Sequence, residues 1–93
     1  MSSDNIQIHV LVSGIVQGVF FRTETQKTAK ANNVTGWVKN LDDGSVEAVI
    51  EGKKENVNNV VDWCHKGSPA AFVSNVKATE QSALSNFDGF KIQ

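Results

Sequence analysis

The chain has 93 residues, which is enough for one domain with a two-layer core, so we expect residues 1–93 to form a single domain. Its net charge of −1, without long runs of either sign, argues against a broad electrostatic surface for nucleic acid or membrane. The single cysteine, Cys64, excludes an internal disulfide and a multi-cysteine metal cage. No apolar run could cross a bilayer and residues 1–5 are polar, which favours a cytoplasmic protein.

The first predicted elements are a strand and a helix on either side of a glycine-containing stretch. Apolar residues alternate with other residues from 6 to 12, the period of a strand with one buried face. A helix is expected from about residue 21 or 22 to Ala31, with a thin apolar face, and Asn32 and Asn33 favour its end because Asn tolerates the left-handed conformation. The thin face consists of Phe21, Thr25, Thr28 and Ala29.

A β-hairpin is predicted next, from strands at residues 34–40 and 45–51. The four residues between them end in Asp43 and Gly44, a strong hairpin signal because glycine readily takes a positive φ. Asp42 and Asp43 are therefore interpreted as turn residues rather than as a carboxylate pair. Asn40 should lie at the end of its strand, beside the turn.

The last elements are a clear amphipathic helix, a strand and a short tail. Asn56 is predicted to cap the helix and Gly67 to end it. A fourth strand follows at 72–79, with Val73 and Val76 as its anchors although strict alternation puts them on opposite faces. Residues 87–92 form a short strand or a packed tail. The helix buries Val57, Val60, Val61 and Cys64, at positions i, i+3, i+4 and i+7.

The order of elements is βαββαβ. Two βαβ halves with right-handed crossovers give the α+β ferredoxin-like split-βαβ sandwich, an antiparallel sheet with two helices on one face.

The stretch from Ser13 to Arg22 has the features of an anion cradle. Gly14 and Gly18 permit backbone conformations in which amide groups converge, and a helix that starts after them adds its unpaired N-terminal amides. Arg22 would add a planar charged fork suited to two phosphate oxygens. The alternative is that the glycines only turn the chain and Arg22 lies on the surface, because short glycine motifs have many false positives. Neither the Walker nor the GxGxxG spacing is present.

Three blocks of sequence resemble the acylphosphatase family. Residues 12–22 match its signature VxGxVQGVxFR, residues 36–40 match GWVxN, and residues 43–47 match the DGxVE that follows. The resemblance extends from Ile6 to Ile92. It implies the same split-βαβ fold and metal-independent hydrolysis of acyl phosphates to a carboxylate and orthophosphate, without a cofactor. It also implies that Arg22 binds phosphate and that Asn40 positions water.

The residues of the cradle suit a reaction whose transition state spreads charge over phosphoryl oxygens. The motif contains no Cys, His, Asp or Lys nucleophile and Ser13 has no evident base, so water is the expected attacker. The amide of Asn40 could orient that water but is not a strong base. A carboxylic-phosphoric anhydride is then the sensible substrate, because its carboxylate leaves without protonation. The amides proposed to hold phosphate belong to Ile15, Val16, Gln17, Gly18, Val19, Phe20 and Phe21.

Several neighbouring residues are given structural roles. Gln17 is expected to shape the loop by bonding its backbone, and Phe20 with Phe21 to form a core pair that anchors the loop to the helix. Trp37 is expected in the core or on the sheet face. Cys64 and His65 are not expected to act together, since adjacent helical positions point about 100° apart.

Two binding modules compete with the enzyme. RNA-binding domains share this architecture, but the chain lacks their basic RNP1 pattern and has no tyrosine. A non-catalytic phosphate-binding regulatory module of the same fold is the closer alternative. The expected partners are a small-molecule acyl phosphate and inorganic phosphate, with no nucleic acid or membrane, and we expect a monomer. The identity of the acyl group stays open.

Overall fold

The computed structural model describes residues 4–93; residues 1–3, part of the polar segment noted above, lie outside the described residues. Five strands and two helices follow the predicted order βαββαβ, with the C-terminal segment as a fifth strand. Their bounds are β1 Asn5–Ile15, α1 Phe21–Ala31, β2 Thr35–Asn40, β3 Val46–Lys53, α2 Lys54–Lys66, β4 Phe72–Glu80 and β5 Phe90–Ile92.

The strands form one sheet in the order β4-β1-β3-β2-β5. The four longer strands pair antiparallel, and β3 lies between β1 and β2, which splits the first βαβ unit. This confirms the α+β ferredoxin-like sandwich. The C-terminal segment is a true strand, and it pairs parallel to β2 through Gly36 and Phe90, so the sheet is mixed rather than antiparallel throughout.

Both helices pack on the same apolar face of the sheet, α1 over β2 and β5 and α2 over β1, β3 and β4. Helix α1 buries Phe21, Thr25 and Ala29, the thin face that its sequence predicts. The ring of Phe21 lies 5.2 Å from that of Trp63 on α2, in a tilted arrangement typical of aromatic pairs. The predicted apolar stripe of α2 is buried, and Gly67 ends that helix.

The start of α2 differs from the prediction. The helix begins at Lys54 with Lys53 at the N-cap position, so Asn56 lies inside the first turn and is not the cap. No side chain caps this end; instead the amide of Lys54 donates to the main-chain oxygen of Asp4 at 3.0 Å. A main-chain partner thus replaces the expected side-chain cap.

A β-bulge explains the irregular pattern of β4. Ser13 pairs with Asn75 but Gly14 pairs with Val73, so one residue of β4, Ser74, is left without a partner in the register. The extra residue restores the phase, and both Val73 and Val76 pack against the core as expected. Within residues 4–93, neither helix is long and apolar enough to span a membrane.

Candidate active site

After the bulge β1 continues only to Ile15, where it leads into the loop formed by residues 16–20. Gly14 has a φ of +124°, and a Cβ there would collide with the carbonyl oxygen of Phe72. Only glycine therefore allows β4 to approach β1 so closely. Within the loop, Gly18 (φ +76°) and Phe20 (φ +62°) take left-handed conformations that turn the backbone before α1.

Helix α1 begins with an uncapped N-terminus. Phe20 occupies the N-cap position and makes no side-chain cap hydrogen bond. The helical ladder starts when Glu24 N donates to Phe20 O at 3.0 Å, so the amides of residues 21–23 precede it. These amides and the helix dipole favour an anion at this end of α1.

Gln17 fastens the loop to the β2–β3 turn. Its Nε2 donates to the main-chain oxygens of Leu41, at 2.7 Å, and Ser45, at 2.9 Å. The side chain therefore bonds the backbone of the neighbouring hairpin, not that of its own loop as predicted. This contact brings the end of β2, and with it Asn40, next to residues 16–20.

Ser68 fastens the other side of the loop. Its buried hydroxyl donates to the main-chain oxygen of Val19 at 2.6 Å, while the Val19 side chain packs against the core. The hydrogen bond and the packing of Val19 thus hold the loop to the connection between α2 and β4.

Asn40 is the last residue of β2 and pairs with Val46 across the hairpin. Its Oδ1 atom is buried and accepts no hydrogen bond; among residues 4–93 no other buried side-chain nitrogen or oxygen lacks a partner. A buried acceptor without a donor is destabilising, and such atoms in native proteins often mark functional sites.

Arg22 is the second residue of α1 and lies in its first turn. Its Nη1 atom donates to the main-chain oxygen of Gln93 at 3.1 Å, and one helical turn later Gln26 donates to that of Phe90 at 2.9 Å. These two bonds tie α1 to β5 and to the residue after it, and the first restricts the orientation of the guanidinium. The planar fork keeps further donors for an anion.

A cavity of about 240 Å³ joins the loop, the start of α1 and the end of β2. Of the predicted site residues, the structure does not place Ile15, Gln17 or Val19 in its lining. It adds Thr23, whose position beside Arg22 in the first helical turn was the available signal. The lining consists of Val16, Gly18, Phe20, Phe21, Arg22, Thr23 and Asn40.

The prediction for the Phe20–Phe21 pair is half wrong. Phe21 is 2 % exposed and belongs to the core, whereas Phe20 is 75 % exposed. The left-handed backbone of Phe20 turns the chain between the two residues, so their side chains are not neighbours in the core as a simple pair would be.

The surroundings of Cys64, His65 and Asp43 indicate structural rather than catalytic roles. Burial raises the pKa of the Cys64 thiol to about 12, which keeps it protonated, and His65 Nδ1 lies 3.1 Å from the main-chain oxygen of Val61. Asp43 accepts hydrogen bonds from the hydroxyl and amide of Ser45, which lower its pKa and complete the turn. Among residues 4–93, no group of His, Cys, Asp or Glu is arranged to hold a metal ion.

Comparison with known proteins gives the same family at the level of sequence and structure. The acylphosphatase family model matches residues 8–92. The acylphosphatase of Natronomonas pharaonis is 52% identical over 91 residues, which is 98% of each chain. That of Pelotomaculum thermopropionicum is 55% identical over 84 residues, 90% of this chain and 91% of the relative.

A solved acylphosphatase structure from Coxiella burnetii superimposes with a TM-score of 0.92 at 41% identity, covering 97% of this chain and 94% of that one. Because the match covers nearly all of both chains, the two proteins have the same fold. The chain therefore belongs to the acylphosphatase family, enzymes that hydrolyse acyl phosphates.

Proposed function

We propose that this chain hydrolyses acyl phosphates without a metal ion, in the cavity between residues 16–20, the start of α1 and the end of β2. The observation that carries the proposal is the buried Oδ1 atom of Asn40, which accepts no hydrogen bond. Asn40 lines the same cavity as Arg22. A cation and an unfilled acceptor in one small cavity suit an anion and a water molecule.

The phosphoryl group is held by Arg22 and by amides of the loop and the first turn of α1. The guanidinium binds two equatorial oxygens as a fork, and the amides add donors where transition-state charge accumulates. Gly18 and Phe20 support this role, because their positive φ values shape the loop in front of the helix N-terminus. Ile15, Gln17 and Val19 contribute mainly by fixing the loop to its neighbours.

Asn40 positions the attacking water. Its Oδ1 accepts a hydrogen bond from water and directs a water lone pair towards phosphorus. The water oxygen forms a bond to phosphorus as the phosphorus–oxygen bond to the acyl group breaks. The carboxylate leaves with the bonding electron pair, and the water protons pass to phosphate and solvent. A good leaving group is needed because the lining contains no carboxylic acid or imidazole to protonate it.

The test is release of carboxylate and phosphate from benzoyl phosphate at neutral pH in excess EDTA. We expect steady turnover that EDTA does not reduce and that inorganic phosphate inhibits competitively. Turnover that EDTA abolishes and Mg²⁺ restores would contradict the metal-free mechanism. Phosphate binding by the folded chain without turnover would instead support the non-catalytic module.

A further inference from the structure

Phe20 is an exposed phenylalanine in the lining of the cavity that contains Arg22 and Asn40. The residue is 75 % exposed, although the next residue, Phe21, is fully packed in the core. Phe20 also lines the cavity that holds Arg22 and Asn40. A large aromatic side chain left in water forgoes the stabilisation that burial would give it.

The backbone at Phe20 makes the choice of residue more unusual. With φ +62° and ψ +22° it is left-handed, a conformation that glycine and asparagine adopt with less strain than phenylalanine. No side-chain hydrogen bond or core contact requires an aromatic residue at this N-cap. Strained residues that persist in such places are often there for function.

The geometry of the reaction leaves the acyl group near this residue. Arg22 and the loop amides hold the phosphoryl oxygens, and in-line attack puts the departing carboxylate opposite the water bound by Asn40. The acyl carbon chain therefore projects from the phosphoryl group towards the rim of the cavity. Among the lining residues Phe20 offers a large apolar surface that is open to solvent there.

We propose that Phe20 binds the acyl group, and that the preferred substrates are acyl phosphates with a flat apolar acyl group, of which benzoyl phosphate is the simplest aromatic example. This inference rests on the proposed function of the cavity. An aromatic acyl group removes apolar surface of Phe20 from water and stacks on its ring, whereas an acetyl group covers little of it. Phe20 is thus a specificity-determining residue through its side chain, which takes no part in holding phosphate.

The experiment compares Phe20→Ala and Phe20→Gly with the unmodified chain on benzoyl phosphate and acetyl phosphate. The glycine variant relieves the left-handed strain, so it keeps the loop formed if the alanine variant does not. We expect kcat/KM for benzoyl phosphate to fall about tenfold more than kcat/KM for acetyl phosphate in both variants. The difference in intrinsic reactivity between the two substrates cancels when the ratio of their kcat/KM values is compared between proteins.

Phe72→Ala is the matched control. Phe72 is a similarly exposed phenylalanine, at 66 %, on the strand beside Ile15, but it does not line the cavity. We expect the ratio of the two kcat/KM values to stay unchanged in this variant. The inference would be overturned if Phe72→Ala changed the ratio of the two kcat/KM values as much as Phe20→Ala does. It would also be overturned if the Phe20 variants lost kcat/KM equally on both substrates.

Binding of two unreactive analogues separates this inference from the proposed function. Benzoylphosphonate and acetylphosphonate lack the scissile phosphorus–oxygen bond, and calorimetry measures their Kd values without turnover. We expect Phe20→Ala to weaken benzoylphosphonate about tenfold and inorganic phosphate less than twofold. If the chain turns over neither substrate yet this difference is present, the proposed function fails and the apolar subsite stands. If turnover is normal and the difference is absent, the reverse holds.

Discussion

Two polar groups buried at opposite ends of the β2–β3 hairpin differ in how they are satisfied. Near the turn, Asn40 Oδ1 accepts no hydrogen bond. At the other end Glu51, 5 % exposed, accepts bonds from Gln7 Nε2 at 2.8 Å and from the amides of Ser85 at 2.7 Å and Asn86 at 2.8 Å. A satisfied buried carboxylate stabilises the fold, whereas an empty acceptor destabilises it unless a ligand fills it.

The two ends therefore serve different purposes. Glu51 holds residues 81–89 in place over the sheet, and that segment leads into β5. The Asn40 end is arranged around a cavity, next to a loop with two left-handed residues and an uncapped helix. Substitutions at the first end should change stability, and substitutions at the second should change turnover.

Arg22→Ala is the strongest test of the cavity end. Loss of the guanidinium removes the charged fork for phosphoryl oxygens, so we expect kcat/KM to fall about 10³-fold and phosphate inhibition to disappear. Steady-state kinetics with and without phosphate measure both. Lys27→Ala, which removes an exposed cation from the same helix, should leave them unchanged. Comparable losses in the two variants would mean that α1 acts only through its general charge.

Asn40→Ala should lower kcat about 10²-fold, because water loses its orienting acceptor, and should change the phosphate Ki much less. Thermal unfolding should occur at or above the original temperature, since alanine removes an acceptor that has no donor to leave stranded. Kinetics, phosphate inhibition and calorimetry on one preparation provide the three values. A fall in Tm with a parallel loss of phosphate binding would instead make Asn40 a support for the loop.

Glu51→Gln should lower stability more than turnover, the opposite of Asn40→Ala. An amide nitrogen would face a main-chain donor that now bonds a carboxylate oxygen, so we expect about 2 kcal/mol less stability at neutral pH. The effect on kcat should be smaller than that of Asn40→Ala. Urea denaturation and the benzoyl phosphate assay measure the two effects. Glu47→Gln is the control, because this carboxylate on the same strand contacts His9 at 2.7 Å and Lys39 at 3.7 Å rather than amides of the 81–89 segment.

The pH dependence sharpens the Glu51 test. Burial alone raises the pKa of Glu51, but hydrogen bonds from Ser85, Gln7 and the amides of Asn86 and Phe87 outweigh it and lower the pKa. Because the folded pKa lies below the unfolded one, this stabilisation is complete above the unfolded pKa and is lost as pH falls through the folded pKa. The stability difference between the original chain and Glu51→Gln should therefore shrink in acid. A difference that does not vary with pH would mean that the charge is unimportant.

The sequence predicted features whose cause is local. Alternation in β1 and the i, i+3, i+4, i+7 spacing in α2 each reflect burial of one face, and both are confirmed. The family motifs indicated Arg22 and Asn40, and the structure places both in one cavity. The roles given to these two residues stay predictions until the variants are measured.

Features that depend on a distant partner were missed. Alternation puts Gln7 on the outer face of β1, yet it is 7 % exposed because the 81–89 segment covers it. Asn56 is not the cap of α2, because Asp4, 50 residues before Lys54, supplies the main-chain partner for the Lys54 amide. The exposure of Phe20 follows from a left-handed backbone angle, and nothing in a pair of phenylalanines indicates that angle. Hydrophobic periodicity contains no information about any of these contacts.

Gln17 contributes to both stability and turnover, and its substitution should have the smallest effect on kcat of the variants at the cavity. Gln17→Ala removes two hydrogen bonds to the hairpin, a loss of about 1–2 kcal/mol, and loosens the loop relative to Asn40. Gln17→Glu keeps the shape but turns a donor into a charged acceptor against two main-chain oxygens, so it should destabilise more and raise the phosphate Ki by repulsion. We expect kcat to fall severalfold in Gln17→Ala while the phosphate Ki changes little, because the hairpin no longer holds Asn40 at a fixed distance from the loop. Steady-state kinetics with and without phosphate measure both values, and an unchanged kcat would mean that Gln17 only stabilises the fold.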